Sequence, residues 1–133
     1  MQKDVKKILH SIRFACTGLC HAYKGDKSFR MEINYGFPIY IIVGYILAPL
    51  SPIEWLFFIF SYVLILLVEL INTAFEKMLD RLHPEEHELI GRSKDIASAA
   101  VLIAFLFAII VVGVLAFSCE YDVASLDTYV ISN

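Results

Sequence analysis

The chain has 133 residues, 59% of them hydrophobic and 19% charged, and its mean hydropathy is +0.68. That balance is too apolar for an ordinary water-soluble domain, and a formal net charge of -3 gives no reason to expect a nucleic-acid partner. Three cysteines, Cys16, Cys20 and Cys119, make no even disulfide framework and are expected as free thiols.

In chain order, Val5, Ile8, Ile12, Ala15, Cys16 and Leu19 recur at helical spacing while Lys3, Lys6, Lys7, Arg13 and Lys24 take the other faces. This predicts an amphipathic helix over about 3–30, lying along an anionic membrane surface. Its start has no long apolar stretch of the signal-peptide kind, so no cleaved leader is expected. A first uncharged run predicts a membrane span over about 31–50, with Tyr35, Phe37 and Tyr40 at one end as an aromatic belt. Pro49, Ser51 and Pro52 mark a turn, and Trp55 opens a second span over about 54–82 that His83 and Pro84 end. A third apolar run predicts a span over about 94–119, and an acidic tail, 120–133, is expected to be flexible. The expectation is thus an all-α membrane protein in one unit, 1–119, with a surface helix and three transmembrane helices. All 11 Lys and Arg residues precede the first span or lie between the second and third. The positive-inside rule then puts the N-terminus in the cytoplasm and the C-terminal tail outside.

The second span carries Glu69, Asn72, Glu76 and Asp80, whose spacing puts all of them on one stripe of a helix. Glu69 follows the run LILLV, where an ionisable group is expensive and marks a functional position unless it merely bonds helices together. A half-buried carboxylate there suits removal of a proton from a lipid hydroxyl. Glu76, nearer water, suits a divalent cation. Lys94 and Asp95 are expected to open the third helix, so that an ammonium and free backbone N–H groups meet at a phosphate site. Together these residues form a coherent set for phosphoryl transfer from a nucleotide to a membrane alcohol. GRSKD is not a Walker loop, so any kinase chemistry here uses another solution. A small transporter would also carry a membrane glutamate, but would gain nothing from Glu76, Lys94 and Asp95 beyond the bilayer. A non-catalytic helical scaffold is the remaining alternative.

The stretch VELINTAFEKMLDRLHPEEHELIGRSKDIASAAVLIA, Val68 to Ala104, resembles the signature of the prokaryotic diacylglycerol kinases. Its E-x-x-N-[ST]-A-x-E core and the following [AS]-K-D-x-x-S-A-A-V segment carry the likeness, with Gly18-Leu19 and the FRxE of Phe29 to Glu32 upstream. The resemblance implies a bacterial inner-membrane homotrimer with sites shared between chains, phosphorylating diacylglycerol with ATP and Mg2+. It implies Glu69 as general base, Asn72 as a positioning residue, and Glu76 and Asp26 as metal ligands, Asp26 standing where the family usually has Glu. It assigns the nucleotide to Asp26, Glu76, Lys94, Asp95 and the loop residues Glu85, Glu86 and His87. Lys7 stands where the family commonly has arginine, near nucleotide and lipid. The lipid side falls to Ser28, Phe29, Arg30, Met31, Glu32, Glu69 and Ser98. The related undecaprenol kinases share the core motifs, so undecaprenol is the alternative lipid.

Overall fold

A computed structural model of the chain describes residues 2–82 and 87–131, with side chains described over 3–82 and 87–118. Among the described residues every element is helical: α1 (Gln2–Gly25), α2 (Lys27–Met31), a π-helical turn (Glu32–Gly36), α3 (Phe37–Leu47), α4 (Pro52–Leu82) and α5 (Glu88–Ile131).

The surface helix expected over 3–30 is broken in two. Asp26 leaves helical geometry, and its carboxylate accepts the Phe29 backbone N–H at 2.8 Å, capping α2 and starting a new helix direction. Arg30 donates to the Tyr23 and Lys24 carbonyls, so the end of α1 and the body of α2 are tied together. The apolar residues Val5, Ile8, Leu9, Ile12 and Leu19 remain exposed along α1.

The span expected over 31–50 also differs. Its strictly α-helical part is α3, 11 residues long, which follows the π turn and α2 without a break in helix. The reason is the π turn, in which the Phe37 N–H bonds back to the Glu32 carbonyl. The same carbonyl accepts the Tyr62 hydroxyl of α4 at 2.9 Å, so the turn is clamped to the neighbouring helix. Two helices are long and apolar enough to cross a membrane, α4 and the Glu88–Ser118 part of α5.

α4 begins just after the Pro49–Pro52 turn; Ser51 and Glu54 form a reciprocal cap, the Ser51 N–H donating to Glu54 Oε2 at 2.8 Å. α5 begins at Glu88, ahead of the expected start at 94, because His87 caps it: the His87 carbonyl accepts from Ile90 and Gly91, and His87 Nδ1 accepts from Leu89 N–H. Glu88 sits in the first turn, favourable to the helix dipole, and pairs with Arg92 one turn on. At the other end α5 runs to Ile131, so helix continues where a flexible tail was expected from 120.

The core is layered along the α4–α5 contact. At the end next to the Pro49 turn, Leu47, Phe58, Val111 and Leu115 are buried together. The next layer is Ile65 between Ala104 and Ala108, small residues that let α4 and α5 approach closely. Tyr40 joins α3 to α4: its ring stacks on Phe58 with centroids 4.6 Å apart, and its hydroxyl shares a 2.7 Å hydrogen bond with the fully buried Ser61. Outside these layers the faces are apolar throughout: Ile42, Ile46, Phe57, Phe60, Leu67, Ile103, Ile109 and Ile110 are all more than half exposed. Apolar surface on that scale is a lipid-facing or subunit-facing surface, not a water-facing one.

Gly44 is where α3 comes closest to α4: a Cβ there would lie 2.9 Å from Phe58 Cε1 and 3.3 Å from Trp55 Cη2. Phe58 is buried and has nowhere to retreat. Gly44→Val is expected to destabilise the protein by about 1–3 kcal/mol through overpacking, read as a lower unfolding midpoint of the purified chain in mixed micelles.

Candidate functional site

The buried face of α4 repeats at helical spacing, Phe58, Ser61, Tyr62, Ile65, Glu69, Asn72 and Thr73. Its first half is mainly apolar or aromatic, with Ser61 the exception, and its second half polar. Glu69 is only 3% exposed, on a helix otherwise dressed in Leu, Ile and Val. A carboxylate so placed has to look into a polar space.

That space is a cleft of about 390 Å³ between α2, the π turn, α4 and α5. α4 contributes Glu69, Asn72 and Glu76; α2 and its cap contribute Asp26 and Ser28; the π turn contributes Glu32; α5 contributes Ser98. Ser28 stands near enough to Glu69 to interact with its carboxylate, and Asp26, Glu32 and Glu76 lie within electrostatic reach of it. Asn72 donates from Nδ2 to Glu76 Oε1 at 3.2 Å, one turn down the stripe. Its Oδ1 and the Glu32 Oε2 are buried without a hydrogen-bond partner. Among the described residues, four carboxylates, Asp26, Glu32, Glu69 and Glu76, line the cleft, and no Lys or Arg does.

So many carboxyl oxygens in one small space suit a positive guest. The donor set is all oxygen, which selects a hard cation such as Mg2+ over softer metals. Among the described residues no group of three or more His, Cys, Asp and Glu is gathered as a cage. Mg2+ needs none: it takes one or two carboxylates, and substrate phosphates and water complete its shell. Asp26 and Glu76 fit that role.

The expected site residues divide into two groups. Asp26, Ser28, Met31, Glu32, Glu69, Asn72, Glu76 and Ser98 share the cleft. The others do not line it. Phe29 is buried, 3% exposed, as the anchor of α2, and Arg30 is turned to the end of α1. Lys94 pairs with Asp80 across α4 and α5, one third exposed and near enough for its charge to act on Glu76. Because α5 starts at Glu88, Lys94 is about 9 Å into the helix at 1.5 Å per residue, and the expected coincidence of an ammonium with a helix N-terminus does not occur. Asp95 is exposed, and His87 is engaged in capping. Lys7 is exposed on α1, about 27 Å from Gly25 along the helix at 1.5 Å per residue. Glu85 and Glu86 lie outside the described residues.

Two residues not singled out in the sequence, Val101 and Phe105, form the apolar wall of the cleft on α5. Their spacing from Ser98, three and seven residues on, is the signal that places them on its face. Tyr62 was likewise unmarked, although its hydroxyl holds the carbonyl of Glu32.

Comparison with known proteins agrees with this arrangement. The family model described as prokaryotic diacylglycerol kinase matches residues 13–116. A protein of Escherichia coli strain K12 named diacylglycerol kinase is 34% identical over 107 residues, covering 78% of this chain and 84% of its own length. One of the same name from Haemophilus influenzae is 36% identical over 103 residues, covering 73% and 80%. Another from Pseudomonas aeruginosa is 33% identical over 103 residues, covering 77% and 82%. Since the match takes in α2, the π turn, α4 and the cleft-lining part of α5, and extends along most of each relative, the chain belongs to the prokaryotic diacylglycerol kinase family and is a lipid kinase.

Proposed function

We propose that the protein transfers the γ-phosphoryl group of ATP to the free hydroxyl of diacylglycerol, giving phosphatidic acid at the cytoplasmic surface of a bacterial inner membrane. The observation that carries this reading is the cleft itself, where the buried Glu69 faces Asp26 and Glu76 across a wall that is polar on one side and apolar, through Val101 and Phe105, on the other. A greasy alcohol enters along the apolar wall. A triphosphate enters from the end at Glu76, which points toward Asp80 and the end of α4.

In this reading Glu69 accepts the hydroxyl proton as the lipid oxygen forms its bond to the γ-phosphorus and the bond to ADP breaks. Asn72, hydrogen-bonded to Glu76, ties the base end of the stripe to the metal end. Mg2+, when bound, offsets the charge of the phosphate oxygens, with Asp26 and Glu76 as its protein ligands. Ser28, Met31, Glu32 and Ser98 shape the lipid headgroup end. Lys94 and Asp95 serve the nucleotide, Lys94 by exchanging its Asp80 partner for phosphate, and the loop residues Glu85, Glu86 and His87 stand beside it. Phe29 and Arg30 act on the lipid side through the placement of α2.

Helix is continuous from Lys27 through the π turn to Leu47. Those 21 residues extend about 30 Å at 1.5 Å per residue, enough for a third crossing. Lys and Arg placement then sets the N-terminus and the α4–α5 loop inside and the C-terminus in the periplasm. Lys7 cannot reach the cleft of its own chain, and its proposed contact with nucleotide is made in a homotrimer, at a neighbour's site.

Labelled ATP offered to the purified protein in mixed micelles is expected to phosphorylate diacylglycerol in preference to undecaprenol; transfer to undecaprenol alone would overturn the substrate assignment. Glu69→Gln is expected to lower kcat by roughly 10²–10⁴-fold with the fold intact, since only the proton acceptor is lost. Asp26→Asn preserves the cap of α2, Asn and Asp being equivalent there. It is nonetheless expected, like Glu76→Gln, to raise the Mg2+ concentration for half-maximal rate by about tenfold or more, on the scale of one lost metal-site interaction. An unchanged Mg2+ requirement in both variants would contradict the metal assignment.

A further inference from the structure

A second cavity, of about 500 Å³, lies on a neighbouring face of α4, in the groove it forms with α1. It shares no residue with the catalytic cleft. Its floor is apolar, made by Leu19 and Ala22 of α1 and Leu70 and Ala74 of α4. Two polar features interrupt that floor. Thr73 is 4% exposed, and its hydroxyl is buried against the groove without a hydrogen-bond partner. Lys77, one turn on, makes no ion pair among the described residues, and its ammonium reaches to within 2.9 Å of where a Cβ on Gly25 would stand. His21 lines the same end from α1 and is exposed.

We propose that this groove binds an anionic phospholipid, its phosphate held by Lys77 and His21 and an acyl chain laid along Leu19, Leu70 and Ala74. Each feature has a counterpart in such a molecule. The unpaired ammonium takes the phosphate. The orphaned Thr73 hydroxyl donates to an ester or phosphate oxygen, removing the cost of a buried unsatisfied donor. The polarity runs in the right order: from Leu70 to Lys77 is two helical turns, about 10 Å, the depth over which a lipid passes from chain to headgroup. The direction of that gradient, with Lys77 nearer the cytosol, rests on the membrane orientation proposed above. α1 forms one side of the groove, and its apolar residues Ile8, Ile12 and Leu19 are exposed, so a bound lipid joins the surface helix to the bundle. A zwitterionic lipid supplies the chain but no net charge for Lys77. Inorganic or glycerol phosphate supplies the charge but leaves the floor bare.

Binding is read without turnover, by native mass spectrometry of the full-length protein released from micelles holding equal dioleoyl phosphatidylglycerol and dioleoyl phosphatidylcholine. An excess of about fivefold of bound phosphatidylglycerol is expected, the contribution of one basic residue near a membrane surface. Lys77→Gln is expected to bring that excess to near parity. Gly18→Leu is expected to do the same by filling the groove, since a Cβ at Gly18 meets nothing within 4 Å and the substitution carries no clash. Lys3→Gln, which removes a charge elsewhere on α1, is expected to leave it. Equal retention of the two lipids by the unaltered protein, or an excess surviving both groove variants, would overturn the proposal. So would glycerol phosphate binding as tightly as phosphatidylglycerol, and so would stable cross-linking of the Gly18→Cys variant through that position to a second copy of the chain. Any of these with phosphoryl transfer intact removes this site and leaves the kinase reading standing.

Discussion

A carboxylate on a lipid-embedded helix is unstable in isolation, and the structure is organised around relieving that instability. Glu69 sits where α4 changes from a wholly apolar to a mixed surface, and it is buried, not exposed to lipid. Burial without partners would cost several kcal/mol. The fold answers by leaving a polar space beside it. α1 stops at Gly25, Asp26 turns the chain into α2, and the start of the π turn at Glu32 is tied to α4 through Tyr62, so that Ser28 and Glu32 line the same cleft as Glu69. Each of these breaks weakens a helix locally, yet each brings a polar group to one place. Tyr62 and Ser61 then fasten the broken helix to α4 through hydrogen bonds to the Glu32 carbonyl and the Tyr40 hydroxyl.

The cleft that results is over-supplied with negative charge, and this excess connects structure to reaction. Among the described residues, the cleft is lined by four acids and by no Lys or Arg, a donor set that suits a hard divalent cation. The chain holds its basic residues just outside. Lys94 is parked on Asp80, within electrostatic reach of Glu76 but not beside it.

Much of this was legible in the sequence, and some of it was not. The acidic stripe could be read because α4 is one unbroken helix, so spacing alone fixes which side chains share a face. Pro49 and Pro52 showed the turn before α4 for a similarly local reason, since neither can continue a helix from within. The π turn left no such mark: INYGF reads as ordinary helix, and only the clamp from Tyr62, thirty residues away, distinguishes it. The early start of α5 was hidden because His87 is a less usual cap than Ser or Asp. Reading Lys94 as part of the first turn followed from that. The π turn is thus marked by a long-range contact, and the start of α5 by a local cap of uncommon type.

The central claim is that one cleft serves both the metal-bound nucleotide and the carboxylate that takes the lipid's proton. Binding ATP with Mn2+ in place of Mg2+ to isotope-labelled protein tests it directly, because the paramagnetic ion broadens nuclear resonances steeply with proximity. The account predicts strong broadening at Asp26, Ser28, Asn72, Glu76 and Ser98, with Tyr45 and Phe57 untouched. Broadening confined to the α4–α5 loop, with those cleft residues unaffected while phosphoryl transfer proceeds, would contradict it.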